Sequence, residues 1–188
     1  WLFSGQSNMW WRVKWCLNAD ANIQDADNYP NIRYYQVPVC GAETPQDKVS
    51  DLHDNDEIGK GWKVSSSEIA NNFSALAFMT ARNLNKELNV PIGVIEAARG
   101  GTGIEGFISR EGFANSNVER YYSYIDRSLY FNGMINPIIP YGIKGAFWYQ
   151  GCNNHQPNNN IYLDEEIALL KDWRTRWGND FYFILSEL

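Results

Sequence analysis

Three short apolar runs of this chain each lead straight into a polar turn that contains glycine. The runs cover residues 2–3, 92–95 and 145–149, and segments with apolar residues at helical spacing, 65–88 and 161–177, lie between or after them. Strands that alternate with helices are typical of a doubly wound α/β fold with a mainly parallel sheet. In such a sheet all strands end at one edge, so the polar turns are predicted to line that edge.

The helical segments have their own start and stop signals. Ser65 and Glu68 form a capping-box pattern, which predicts that one continuous helix covers residues 65–88. A further helix is predicted over residues 118–131, and Asn132-Gly133, followed by Pro137 and Pro140, is expected to break it. These helices would pack against the sheet through their apolar stripes.

The rest of the chain is less regular. Residues 10–62 predict a long loop with one strand at 32–37, and residues 181–185 predict a fourth strand after the last helix. Three tryptophans follow the first turn closely and could either wall a pocket or belong to the core. They are Trp10, Trp11 and Trp15.

Composition limits the function classes. With 188 residues and 44% apolar content, residues 1–188 can form one domain with a substantial core. The net charge of -6, without a long Lys or Arg tract, argues against nucleic acid as a partner. No apolar stretch approaches the roughly 20 residues of a membrane span. Because the chain opens at Trp1 within a predicted strand, we expect the domain to be truncated at its start.

The cysteines leave two alternatives open. Cys16, Cys40 and Cys152 show no C-x-x-C spacing, so the sequence predicts neither a zinc site nor a disulfide framework. Cys16 and Cys40 could pair in an oxidising environment, or all three could be free thiols.

The first turn carries a serine that could act as a nucleophile. Gly5 provides the backbone freedom that a sharp strand-to-helix turn needs, and Ser7 follows it. A serine at such a turn presents both its hydroxyl and its N–H to the same point above the sheet. A simple polar loop is the alternative interpretation of this one motif.

The other two turns favour the interpretation of Ser7 as a nucleophile. If the strands are parallel, Ser7, Gly101 and Gln150 converge at one edge although they are far apart in sequence. Hydrolysis of an acyl ester needs a nucleophile and donors for the oxyanion. The Ser7 N–H, the Gly101 N–H and the Gln150 side-chain amide are the candidate donors.

Four ordered motifs together are similar to one known family. They are Gly5-Gln6-Ser7-Asn8-Met9, Gly100-Gly101-Thr102 after Gly93-Val94-Ile95, Asn132-Gly133-Met134-Ile135, and Trp148-Tyr149-Gln150-Gly151. In order and spacing they resemble the sialic acid-specific acetylesterase family of SGNH hydrolases. The resemblance extends through Asp172-Trp173-Arg174 and covers nearly the whole chain.

This resemblance implies a three-layer α/β/α sandwich that hydrolyses O-acetyl esters of sugars by a Ser-His dyad or triad, without a metal or other cofactor. Ser7 would be the nucleophile, and Gly101 and Gln150 members of the oxyanion hole. Supporting roles would fall to Ser4, Asn8 and Thr102. The substrate would be an acetylated sugar or glycan, foremost a sialate ester; acetyl xylan esterase and a non-catalytic sugar-binding homologue are the alternatives. A secreted, periplasmic or lysosomal location is also implied.

The chain differs from the family pattern in the general base of the reaction. A serine needs a proton acceptor, usually a histidine held by a carboxylate, but neither His53 nor His155 stands in an Asp-x-x-His arrangement. The resemblance implies that this motif lies beyond residue 188, so we expect the 188-residue chain alone to be inactive. Cys152 stands where the family more often has glutamate. Two alternatives for Cys152 are that it acts as a nucleophile, or that it binds a metal together with His155.

Overall fold

A computed structural model describes residues 1–52, 57–116, 118, 127–155 and 161–187 of the chain. The strands form a six-stranded sheet in the order β3-β2-β4-β1-β5-β6, parallel throughout except for β3, which is antiparallel to β2. They are β1 Leu2–Gly5, β2 Ile32–Gln36, β3 Lys63–Val64, β4 Ile92–Ala98, β5 Gly145–Tyr149 and β6 Tyr182–Leu185. The predicted α/β class is therefore confirmed.

Helices pack on both faces of this sheet. They are α1 Ser7–Trp10, α2 Ala19–Asp25, α3 Ser67–Asn71, α4 Ala75–Leu88, α5 Arg110–Ala114 and α6 Tyr162–Trp177. Successive strand residues point to opposite faces, so Leu2 joins one hydrophobic core and Phe3 the other. The first core lies under α5 and α6, and the second lies under α1 to α4.

All the predicted strands, including the one at residues 181–185 that forms β6, and the last helix are confirmed. The runs at residues 2–3, 92–95 and 145–149 begin or form β1, β4 and β5, and the run at 32–37 forms β2. The last helix ends at Gly178, which takes the left-handed conformation with φ 62°. The two-residue strand β3 had no sequence prediction.

The single helix predicted over residues 65–88 is wrong, because the chain forms α3 and α4 with a break between them. Ser66, rather than Ser65, caps α3 by accepting a hydrogen bond from the Ile69 N–H. Ser74 caps α4, and its own N–H donates to the Glu96 carboxylate over 3.0 Å. The break therefore satisfies a buried carboxylate in β4, which a continuous helix would leave without this donor.

The helix predicted over 118–131 falls largely on residues outside the described ranges. The expected break at Asn132-Gly133 is wrong, because Phe131–Ile135 form a π-helical turn that includes both residues. Glycine is required there for another reason. A β-carbon on Gly133 would lie 2.1 Å from the Cys40 carbonyl oxygen, so only glycine lets this loop approach.

The three cysteines are all free thiols, which settles the alternative left open for Cys16 and Cys40. Among the helices of the described ranges, none has both the length and the apolar character that a membrane crossing needs.

Candidate active site

Three polar turns leave the sheet at the same level. Gly5, the last residue of β1, is the register partner of Ala98 at the end of β4 and of Tyr149 at the end of β5. Because neighbouring strands lie about 4.8 Å apart, the three turns start within roughly 10 Å of each other. The predicted convergence of these turns is confirmed, and β1 lies between the other two strands at the centre of the site.

The turn after β1 needs its glycine. Gly5 has φ +137°, and a β-carbon on it would lie 2.2 Å from the Tyr149 carbonyl oxygen. That close approach allows the Gln6 N–H to donate to the same oxygen over 3.0 Å. Ser7 is then the first residue of α1.

Ser7 is half-buried at this edge and lies against the second turn. A β-carbon built on Gly100 would be 3.7 Å from the Ser7 Cβ. Within the described residues the N–H groups of Ser7 and Gly101 donate no hydrogen bond, so both are free for a ligand. Gly101 takes φ +71°, and its β-carbon position has no heavy atom within 4 Å, so the site is open there.

Gln150 connects the three turns. Its side chain is buried, and its amide nitrogen lies 3.1 Å from the Gln6 side-chain oxygen and 3.0 Å from the Thr102 carbonyl oxygen. The third acceptor is the Asn154 side-chain oxygen at 2.7 Å. Two amide hydrogens thus face three protein acceptors. Donation from Gln150 to an oxyanion stays a prediction, and it requires the exchange of one of these acceptors.

Gln6 is a candidate site residue that was not predicted from the sequence. Its side-chain oxygen accepts from Gln150, from the Gly151 N–H over 3.2 Å and from the Asn153 N–H over 3.1 Å. It therefore positions the turn after β5 against the turn that carries Ser7. Its place between Gly5 and Ser7 in a recognised motif was the available signal.

The residues with implied supporting roles lie beside the turns. Ser4 is buried and its hydroxyl donates to the Ala97 carbonyl oxygen, which joins β1 to β4. The Thr102 hydroxyl closes the second turn by donating to the Arg99 carbonyl oxygen. The Asn8 amide approaches the Cys152 sulfur at 3.8 Å, so the exposed thiol lies at the rim of the site.

A buried carboxylate supports the third turn, and a second buried carboxyl group lies near it. The Glu105 carboxylate accepts from the Asn154 amide over 3.0 Å, and Asn154 in turn holds Gln150. Glu165 from α6 is fully buried, and neither oxygen of its carboxyl group has a hydrogen-bond partner in the described ranges. Burial, and secondarily the charge of Glu105, raises the pKa of Glu165 to about 8.

This carboxyl group makes stability depend on pH. Because the pKa of Glu165 is higher in the folded state than in the unfolded state, the folded protein binds the extra proton, and its stability falls as pH rises from about 4.5 to about 8. Glu165→Gln removes this titration. The Tm of the variant relative to wild type is expected to rise by roughly 4 °C between pH 5 and pH 8, measured by thermal unfolding.

Asp164→Asn is the matched control for this experiment, since Asp164 is exposed in the same helical turn. Its Tm profile is expected to run parallel to that of wild type over the same range. If the Tm profile of Glu165→Gln also ran parallel to that of wild type, the conclusion that folded Glu165 binds an extra proton would be contradicted.

A buried ion pair lies under the first turn. Arg12 Nη1 donates to Glu96 Oε1 over 2.5 Å, and both side chains are almost completely buried. Glu96 also accepts from the Gln36 amide and from the Ser74 N–H. Burial raises the pKa of Glu96 and the charge of Arg12 opposes that rise. This pair connects the segment after Ser7 to β4, β2 and the start of α4.

No histidine within the described ranges is placed as a general base for Ser7. His53 lies outside the described residues. His155 is exposed beyond the third turn, and no hydrogen bond joins it to Ser7 in the part of the chain that the structure describes. In that part, no group of three His, Cys, Asp or Glu side chains could hold a metal ion.

The tryptophans near Ser7 divide between the two alternatives. Trp10 is half-buried and packs against the second core, whereas Trp11 is 49% exposed and Trp15 39% exposed. Trp15 contacts both, with ring centroids 5.4 Å from Trp10 and 5.5 Å from Trp11. Trp148 is only 1% exposed and belongs to the first core. Trp11 and Trp15 are therefore the exposed members of this group, and Trp10 and Trp148 belong with the cores.

Comparisons with known proteins agree with this geometry. The sequence profile of the family described as carbohydrate esterase, sialic acid-specific acetylesterase, matches residues 1–188. The sialate O-acetylesterases of Homo sapiens and Rattus norvegicus are 30% identical over 187 residues and 29% identical over 214 residues. Each alignment covers 93% of this chain, but only 35% of the human and 38% of the rat protein. The chain thus spans little more than a third of the length of these curated relatives.

The fold agrees as well. A crystal structure of a carbohydrate acetylesterase from Xanthomonas citri superimposes with a TM-score of 0.84 at 27% sequence identity. The superposition covers 98% of this chain and 40% of that one.

Proposed function

The chain belongs to the sialic acid-specific acetylesterase family of carbohydrate esterases, and we propose that the protein hydrolyses O-acetyl esters of sugars with Ser7 as the nucleophile. The observation that carries this proposal is the row formed by Gly5, Ala98 and Tyr149, from which three turns meet around Ser7. We also propose that residues 1–188 belong to one esterase domain.

The chemistry follows from the positions of the turns. The Ser7 oxygen attacks the acetyl carbonyl carbon and loses its proton to a general base. The carbonyl oxygen becomes negative, and the free N–H groups of Ser7 and Gly101 donate to it. The ester bond to the sugar then breaks, and the sugar oxygen takes the proton from the base. Water releases acetate from acetyl-Ser7 in the same way.

In this proposal Gln150 acts mainly by holding the three turns in position. Its amide holds Gln6, Thr102 and Asn154 together, so the two backbone donors keep a fixed orientation before substrate arrives. Preorganised donors of this kind are worth about 100- to 1000-fold in rate each.

The general base stays a prediction. The family resemblance implies a histidine from an Asp-x-x-His motif, and this sequence contains no such motif. Activity tests therefore use the full-length protein, and the 188-residue chain alone is expected to be inactive.

Trp11 and Trp15 are exposed in the segment that follows Ser7, and we propose that their rings stack on the sugar of the ester. The names of the relatives support a sialate ester as substrate. Acetyl xylan is the second candidate, and a homologue that binds sugars without hydrolysis is the third.

A substrate panel distinguishes these candidates. The full-length protein is incubated with O-acetylated sialic acid, acetylated xylo-oligosaccharides and p-nitrophenyl acetate, and released acetate is measured. We expect release from the sugar esters, fastest from the sialate ester. Binding of acetylated sugars without release of acetate from any substrate would contradict the proposed hydrolysis.

A further inference from the structure

A tyrosine of α6 holds the end of the Gln150 side chain that the turns do not reach. Tyr162 is the first residue of this helix, and its hydroxyl lies 2.7 Å from the Gln150 side-chain oxygen. The same hydroxyl lies 2.6 Å from the Gln150 carbonyl oxygen. Because a phenol has a single proton, it shares that proton between two oxygens of one residue. The hydroxyl therefore joins the side chain of Gln150 to its own main chain.

Both oxygens of Gln150 depend on this contact. The register between β5 and β6 ends at Trp148 and Leu185, so Gln150 has no register partner in β6. Among the described residues, the Gln150 side-chain oxygen accepts a hydrogen bond from Tyr162 alone. Without the hydroxyl this oxygen would be buried and unsatisfied, which is costly for a polar group.

Tyr162 is a rigid donor that stays protonated. Its ring is half-buried against the first core, where Trp173 of the same helix is fully buried. The Trp173 indole N–H donates to the Phe107 carbonyl oxygen over 3.0 Å, which fixes α6 to the rest of the fold. Burial raises the pKa of Tyr162, and the carboxyl groups of Glu166 and Glu165 act in the same direction. The phenol therefore keeps its proton throughout the neutral pH range.

We propose that Tyr162 is a positioning residue of the site, whose hydroxyl keeps the Gln150 amide in the orientation that holds the three turns together. This inference rests on the proposed esterase function and adds a role for a side chain of α6. The amide nitrogen faces acceptors from all three turns, which are the oxygens of Gln6, Thr102 and Asn154. With its oxygen held by Tyr162, the amide keeps its plane, and the turns keep their backbone donors in place for the oxyanion.

The same bond strengthens the nitrogen side of the amide. Linked hydrogen bonds polarise one another, so an amide whose oxygen accepts a hydrogen bond is a better donor through its nitrogen. This applies to the bonds that the Gln150 nitrogen makes to the turns, and equally to a bond from that nitrogen to the oxyanion. Tyr162 thus acts through Gln150 and needs no contact with the substrate.

Tyr162→Phe removes the hydroxyl and keeps the ring. The full-length protein and this variant are assayed with O-acetylated sialic acid. The kcat is expected to fall about tenfold and KM to stay within about twofold, because the lost hydrogen bond orients the site without touching the sugar. An unchanged kcat in Tyr162→Phe would overturn the inference.

Tyr34→Phe is the matched control for a loss of stability. Tyr34 is buried and its hydroxyl lies 3.2 Å from the Ser65 hydroxyl, but its side chain belongs to the second core, on the other face of the sheet. Both variants are expected to show a lower Tm, whereas kcat is expected to fall only in Tyr162→Phe. Equal falls in kcat would show a general effect of destabilisation and overturn the positioning role.

A double-mutant cycle tests whether Tyr162 acts through Gln150. Gln150→Ala alone is expected to lower kcat about 100-fold. Addition of Tyr162→Phe to this variant is expected to change kcat by less than about twofold, since the amide that the hydroxyl orients is already gone. A further tenfold fall in the double variant would show that the two side chains act separately, and would overturn the inference.

An NMR measurement keeps this result separate from the proposed hydrolysis. The full-length protein is labelled with 15N-glutamine, and the Gln150 side-chain signal is identified by its absence in Gln150→Ala. Exchange of this amide with water is expected to be about tenfold faster in Tyr162→Phe than in wild type. If wild type releases acetate from no substrate but this difference is found, the esterase proposal fails and the hold of Tyr162 on Gln150 stands. Equal exchange rates would overturn the assignment of Tyr162.

Discussion

Ser7→Ala is expected to lower acetate release by the full-length protein about 10,000-fold or more, because loss of a catalytic serine removes the covalent route entirely. The loss should appear in kcat, since the hydroxyl group adds little to sugar binding. Ser7 is half-buried and its side chain makes no hydrogen bond within the described ranges, so the variant should fold normally. A Tm within about 1 °C of wild type would show this.

Cys152→Ala provides the control for this result. Cys152 is exposed at the rim of the site and touches the Asn8 amide only through a long contact of 3.8 Å. The variant is expected to keep most of its activity. Activity that survives Ser7→Ala but disappears in Cys152→Ala would identify the thiol as the nucleophile and contradict the assignment of Ser7.

Arg12→Met is expected to destabilise the protein by about 3–5 kcal/mol, because it leaves Glu96 buried without its countercharge. This is roughly 10 °C in Tm for a domain of this size. The loss should be larger at pH 8 than at pH 5. Without Arg12 the pKa of Glu96 rises further above its unfolded value, and stability is then lost as pH rises through it.

Two variants show whether burial is the cause. Arg82→Met breaks a partly exposed pair with Asp25 and is expected to cost less than about 1 kcal/mol. Adding Glu96→Gln to Arg12→Met removes the remaining charge and is expected to recover part of the loss, measured by denaturant unfolding. If Arg12→Met lowered the free energy of unfolding no more than Arg82→Met does, the stabilising role assigned to the buried pair would be contradicted.

The sheet and the meeting of its turns could be predicted from sequence because both depend on local pattern. Short apolar runs predicted β1, β4 and β5, and the common edge of a parallel sheet then placed Ser7, Gly101 and Gln150 near one another. Gly5 was correctly interpreted because a sharp turn requires the conformation that it takes.

The features that the sequence did not predict depend on partners far along the chain. The break before α4 follows from Ser74, whose hydroxyl donates to the Met9 carbonyl oxygen and whose N–H donates to Glu96. The three acceptors around the Gln150 amide come from three separate turns, so the motif itself could not show how its donors are used. Glu165 lies in the first turn of α6, and only the packing of this helix shows that it is buried.

The central claim is that three turns form one acyl-transfer site in which Ser7 is the nucleophile, and covalent labelling tests it most directly. The full-length protein is treated with a fluorophosphonate, which reacts with activated serines, and the modified peptide is identified by mass spectrometry. A single adduct on the Ser7 oxygen, formed at the rate at which esterase activity is lost, is the expected result. Loss of activity with Ser7 unmodified, or an adduct at another residue, would contradict the claim.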